Sequence, residues 1–128
     1  MEERIINPSD GVYAATQDYV HAIEVTHASR FVFVSGTMGL EASGNAPVTL
    51  EEQLKLVWSN IRRILMEADM STDNIVRVTS YLRDADYATD NQNARTVALG
   101  NRKIPTTAIV VETLTPDWMI EIEVIAAA

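Results

Sequence analysis

Residues 104–128 read Ile104-Pro105-Thr106-Thr107-Ala108-Ile109-Val110-Val111-Glu112-Thr113-Leu114-Thr115-Pro116-Asp117-Trp118-Met119-Ile120-Glu121-Ile122-Glu123-Val124-Ile125-Ala126-Ala127-Ala128. A proline stop leads into an apolar run at 107–111. The Thr115-Pro116-Asp117 turn follows, and a second strand is predicted over 119–125. Side chains alternate across a strand, so Glu121 and Glu123 share one face while Ile120, Ile122 and Val124 share the other. Two carboxylates about 7 Å apart with apolar neighbours make either a solvated outer face or a site.

Upstream, residues 18–27 alternate loosely and predict a strand. After a polar break at Ser29-Arg30, residues 31–36 (Phe31-Val32-Phe33-Val34-Ser35-Gly36) predict another, and the two together suggest a hairpin. Gly36, Gly39, Gly44 and Pro47 punctuate a loop. Thr49, followed three residues on by Glu52, predicts a capping box. Leu50, Leu54, Val57, Ile61, Leu65 and Ala68 then recur at helical spacing. The chain breaks at 71–74, and a β-branched strand spans 75–82. Asp84 or Asp86 caps a weaker helix whose stripe is Tyr87, Ala88, Asn91, Ala94, Val97 and Ala98. It stops at Gly100-Asn101.

The order β-β-α-β-α-β-β predicts an α+β fold, a mixed sheet with two helices on one face. Its expected core is Val32, Val34, Leu54, Val57, Ile61, Leu65, Val76, Val78, Val110, Ile122 and Val124. The bare face carries Phe31 or Phe33, Ile109, Val111 and the Glu121/Glu123 pair. It is too apolar for full solvation, and self-association is the simplest cover.

With 128 residues, 47% apolar and 22% charged, residues 1–128 make one globular domain. The absence of cysteine excludes disulfides, thiolate nucleophiles and zinc–sulfur sites. His21 and His27 are the only imidazoles, so no metal site is predicted, and without a glycine-rich phosphate loop no cofactor is either. A net charge of −8, with basic residues scattered as Arg62-Arg63, Arg77, Arg83, Arg95 and Arg102-Lys103, repels phosphate backbones and anionic lipid. No nucleic-acid or membrane partner is expected. No signal-like amino terminus or long apolar run is present, so a cytoplasmic location is the expectation.

Val32-Phe33-Val34-Ser35-Gly36 and Glu121-Ile122-Glu123-Val124-Ile125-Ala126, supported by residues 74–79 and 86–91, make the chain from about Gly11 to Ala126 resemble the Rid, or YjgF, family of small imine and enamine deaminases. The resemblance implies a chorismate-mutase-like fold and a homotrimer whose sheets close a barrel, with small-molecule sites in the clefts between subunits. Glu121 matches the family's site carboxylate, placed to hold the attacking water or take its proton. Tyr13 (in Gly11-Val12-Tyr13-Ala14), Ser35 and Asn91 match cleft residues, although Val12 and Ala14 depart from the pattern. Packing roles fit these three residues as well. No histidine stands near Ser35 to serve as its base, which argues against acyl transfer.

Thr107 is the discriminating position. Deaminating members carry an arginine there, whose planar fork grips a substrate carboxylate. Threonine gives one ordinary hydrogen bond, a loss of about 3 kcal/mol or roughly a hundredfold. Arg102 or Lys103 is a conceivable substitute. Two readings stay open. One is a hydrolase of imines or enamines whose substrate is not anchored by an arginine–carboxylate pair. The other is a trimer that binds a small metabolite and has lost deaminase activity. A ribonuclease, also described in the family, is disfavoured by the charge.

Overall fold

The computed structural model describes residues 1–128. Its elements are β1 (Glu2–Ile6), β2 (Ala22–Thr26), β3 (Phe31–Met38), α1 (Leu50–Glu67), β4 (Ile75–Leu82), α2 (Ala88–Ala98), β5 (Thr106–Val110) and β6 (Ile120–Ala127). The main sheet runs β3-β6-β4-β5, with β4 and β5 parallel and the other pairs antiparallel. The fold is therefore α+β with a mixed sheet, as the sequence predicts. The carboxy-terminal strand lies inside that sheet, between β3 and β4.

The expected hairpin between residues 18–27 and 31–36 does not form. β2 pairs with β1 instead, in a separate ribbon running from Glu2↔Thr26 to Ile6↔Ala22. At the break His27 takes a left-handed backbone (φ 58°), and the next residues turn onto the chain's end. The N–H groups of Ser29 and Arg30 donate to the Ala128 carbonyl at 2.8 and 3.0 Å. That carries β3 alongside β6, whose alternating apolar residues give it a buried face. β1 shows no period-2 pattern, having Glu2, Glu3 and Arg4 in succession. It is set by pairing, with Arg4 opposite Glu24 and bonded to it at 3.1 Å.

α1 starts where Thr49 accepts the N–H of Glu52 at 3.2 Å. This is one half of the expected box, and the Glu52 carboxylate returns no bond. The helix lays Leu54, Val57, Trp58, Ile61 and Leu65 on the sheet. From below they meet Val34, Val78, Leu82, Ile120, Ile122 and Val124. Burying each such aliphatic side chain contributes about 2 kcal/mol. At the end of β3, only a glycine fits against α1, since a Cβ on Gly39 would lie 2.1 Å from the Gln53 carbonyl oxygen.

Of the expected core, Val32 is only partly buried, while Val76 and Val110 lie outside it. A register shift between Ile75 and Arg77 rotates the strand, so Ile75 and Val78 point inward rather than Val76 and Val78. Val110 is on edge strand β5 and is exposed. α2 is also rotated from its expected stripe. Its inward row is Asn91, Arg95 and Ala98, at i, i+4 and i+7, and Val97 faces out. Arg95 can be buried because its guanidinium meets Asp18 at 2.6 Å. Asp84 caps a 3₁₀ turn at Ala85–Tyr87 that leads into this helix, which ends at Gly100 and Asn101, both with positive φ. No helix of the chain is long and apolar enough to cross a membrane.

Candidate functional site on the open sheet face

β6 does what its alternation dictates. Ile120, Ile122 and Val124 are buried beneath the helices, while Glu121 and Glu123 are half-buried on the opposite face. In the cross-strand rows Glu121 stands opposite Met38 on β3 and Tyr81 on β4. Glu123 stands opposite Thr79, itself paired with Thr107 on β5.

The two carboxylates are not equivalent. The Tyr81 hydroxyl donates to Glu123 Oε1 at 2.6 Å. That bond, with desolvation and the nearby negative charges, holds the Tyr81 phenol above its usual range. Glu121 makes no hydrogen bond or ion pair within the chain. Its carboxyl lies over Gly36, where a Cβ would come 2.2 Å from Oε1. The missing side chain at Gly36, in the irregular stretch between Val34 and Thr37, is what makes room for it. A hollow of about 270 Å³ opens there, lined by Gly36, Tyr81, Glu112, Thr113, Glu121 and Glu123 among others.

Buried polar clamps hold this arrangement in place. Gln53, fully buried on α1, donates to the Pro47 and Asp117 carbonyls at 2.8 Å each and accepts the Met119 N–H at 3.0 Å. It thus pins the turn that launches β6 two residues before Glu121. Arg83 donates to the carbonyl and hydroxyl oxygens of Thr113, at 3.1 and 2.8 Å, fixing the hollow's rim. A buried amide with all its hydrogen bonds made rigidifies; a half-made set would destabilise.

The other sequence-selected residues do not converge on Glu121 within one chain. Ser35 is exposed beside Gly36, and its carbonyl accepts the Thr37 hydroxyl. Tyr13 is 75% exposed and packs edge-on against His21, ring centroids 5.1 Å apart. Asn91 is buried on α2, and its Oδ1 has no partner. Thr107 is half-buried, and its hydroxyl oxygen accepts from Arg77 Nη2 at 2.8 Å. Arg102 is not free to replace an arginine at 107, since it donates to the Thr72 and Ile75 carbonyls at 3.2 and 3.3 Å and approaches Glu3. Lys103 borders a different hollow, with Asp18 and Arg95.

Sequence reasoning missed Tyr81, Arg77 and Gln53. The first two carry a readable signal. Arg77, Thr79 and Tyr81 are the alternate positions of a strand whose other positions are apolar or small. Gln53 carries no such signal, because two of its three partners, Asp117 and Met119, are more than sixty residues away. No three His, Asp or Glu side chains come together as a metal site would require.

A sheet with helices packed on one face and an acid–phenol cluster on the other defines a one-sided α+β protein. The family model described as Endoribonuclease L-PSP matches residues 11–128, and the chain belongs to that family, which lies within the Rid/YjgF superfamily. A RutC family protein of Pyrococcus abyssi is 36% identical over 111 residues, covering 84% of each chain. Among solved structures, YyfB of the conserved Rid protein family from Yersinia pestis superposes with a TM-score of 0.84 over the whole of both chains, at 24% identity. RidA from an Antarctic Psychrobacter gives 0.72 at 23% identity, covering 98% of this chain and 100% of that one. At those identities the two structures speak to the fold.

Proposed function

We propose that this chain hydrolyses small imines or enamines as a homotrimer, in clefts between its subunits, with Glu121 as the catalytic carboxylate. The observation that carries this reading is the inequality of the two glutamates: Glu123 is occupied by Tyr81, while Glu121 is half-buried and without a partner beside a hollow. Glu121 takes a proton from water as the water oxygen bonds to the imine carbon, and the C=N π electrons move to nitrogen. The same carboxyl returns the proton to nitrogen. The carboxyl then takes the hydroxyl proton and passes it to nitrogen as the oxygen electrons form C=O and the C–N bond breaks, releasing an amine or ammonia and leaving a carbonyl compound. General-base assistance of this kind is worth about 10²–10⁴-fold.

Assembly follows from the uncovered face. Phe31 and Phe33 stack on each other at 6.4 Å with much of both rings in solvent, and Ile109 is exposed on β5. Burying them against further copies of the chain is favourable. Thr107, a neutral side chain where the deaminating members of the family carry an arginine, supports the second reading, a trimer that binds a metabolite without consuming it.

The test is hydrolysis of freshly generated imines, uncharged and carboxylate-bearing, by the wild type and Glu121→Gln. Turnover that falls at least a hundredfold in the variant is expected. Equal rates in both would remove Glu121 from the chemistry. Ligand-induced thermal stabilisation with no turnover by either protein would establish the binding reading.

A further inference from the structure

Arg77 stands apart in the chain's distribution of positive charge. Of its ten cationic side chains, all but Arg62, Arg77 and Lys103 are held by a carboxylate or a backbone carbonyl. Arg62 borders a groove between the two helices, and Lys103 is exposed near Asp18. Arg77 is half-buried on the open sheet face. Its sole partner is a neutral hydroxyl, Thr107 Oγ1 at 2.8 Å. A guanidinium has five N–H donors, so most of them remain available beside a hollow of about 200 Å³ lined with Phe33, Thr79 and Glu123.

The bond to Thr107 does two things. It holds the guanidinium head towards β5, and by using an oxygen lone pair it leaves the Thr107 hydroxyl proton free to be donated outward. The pair therefore offers a planar fork and an adjacent O–H to the same space, a donor set that suits a planar carboxylate. Thr107 stands across β4 in the row of Glu123, two strand spacings away, and Glu121 lies one side-chain repeat further along β6, so about 12 Å separate Thr107 from Glu121. Tyr81 lies on the strand between them.

We propose that Arg77 and Thr107 form an anion-binding pair that makes this cleft prefer ligands whose carboxylate is set back from the reacting carbon by intervening methylene groups. This rests on the Glu121 reading for where the reacting carbon sits. The anion contact itself is read without any turnover.

The experiment uses carbonyl compounds, the products of imine hydrolysis, as unreactive probes of the full-length protein. Calorimetric titrations compare 4-oxopentanoate, whose carboxylate lies two methylenes from the carbonyl, with 2-oxobutanoate and uncharged 2-pentanone. The wild type should bind 4-oxopentanoate at least tenfold more tightly than either of the others. Arg77→Gln should erase that preference, Arg77→Lys should keep part of it, and Thr107→Val should weaken 4-oxopentanoate binding about threefold. Circular dichroism and an unchanged melting temperature would establish that the variants are folded.

Equal binding of 4-oxopentanoate and 2-pentanone, or a preference that survives Arg77→Gln, overturns the anion pair. Equal binding of the two oxo acids overturns the spacing. Arg77-dependent binding in a protein that turns over no imine upholds this inference while removing the hydrolase reading. Glu121-dependent turnover with no Arg77 effect does the reverse.

Discussion

The two faces of the main sheet are built from the same strands and meet opposite fates. On the helix side Ile122 and Val124 join an apolar core in which Gln53 makes three hydrogen bonds and Arg95 meets Asp18, while Trp58 Nε1, Ser80 Oγ and Asn91 Oδ1 are buried without partners. On the open side, one residue along the same strand, Glu121 has no partner, Arg77 has one neutral partner, and two phenylalanines face solvent. A face that buries its apolar side chains and pairs its one buried guanidinium stabilises. A face that leaves donors, a carboxylate and apolar rings uncommitted is equipped to bind.

Breaking the closed face should cost most. Ile122→Ala empties a fully buried site and should lower unfolding free energy by about 3–4 kcal/mol in urea titrations. Asp18→Asn should cost about 2 kcal/mol, because it strands the buried Arg95 guanidinium. Burial alone would raise the Asp18 carboxyl. Hydrogen bonds from Thr16, from its own backbone N–H and from Arg95 outweigh that and hold it below the usual carboxylate range. A depressed carboxyl stabilises above its unfolded-state value of about 3.9 and loses that contribution as pH falls through the folded value. The wild-type advantage should therefore be full at pH 6 and shrink below pH 4.

Changes on the open face should affect chemistry more than stability. Gly36→Ala puts a methyl where the Glu121 carboxyl lies. That carboxyl is the movable end of a side chain, so the protein should fold while imine turnover drops about tenfold or more. Turnover unchanged in this variant would show that the observed position of Glu121 is not the working one. Smallest of all, Tyr81→Phe should lower stability slightly by removing the bond to Glu123. The raised phenol stabilises below its unfolded-state value near 10 and ceases to as pH rises through the folded one. Stability should then fall between pH 9 and 12 in the wild type more steeply than in the variant.

Much of this was legible in the sequence because it depends on local periodicity. The α1 stripe, the turn at Thr115-Pro116-Asp117 and the alternation that separates Ile122 from Glu121 all follow from side-chain geometry within a few residues. Val76 and α2 were misread for one reason: a register slip and a buried ion pair both override a local pattern through partners far away in the chain. The false hairpin has a related cause. Adjacency favoured β2 with β3, but the Ser29 and Arg30 amides find the Ala128 carbonyl, 99 residues beyond Ser29 in the chain.

By itself the sequence determined the fold class and the two-faced character of β6, since period-2 alternation and residue chemistry are properties of the strand alone. Only the tertiary structure decided which glutamate is free and where the cation lies. Those depend on what stands opposite in the neighbouring strands: Tyr81 reaches Glu123, Gly36 yields room to Glu121, and Arg77 leans on Thr107. Cross-strand register is set by the packing of the whole sheet, and no stretch of the chain carries it alone.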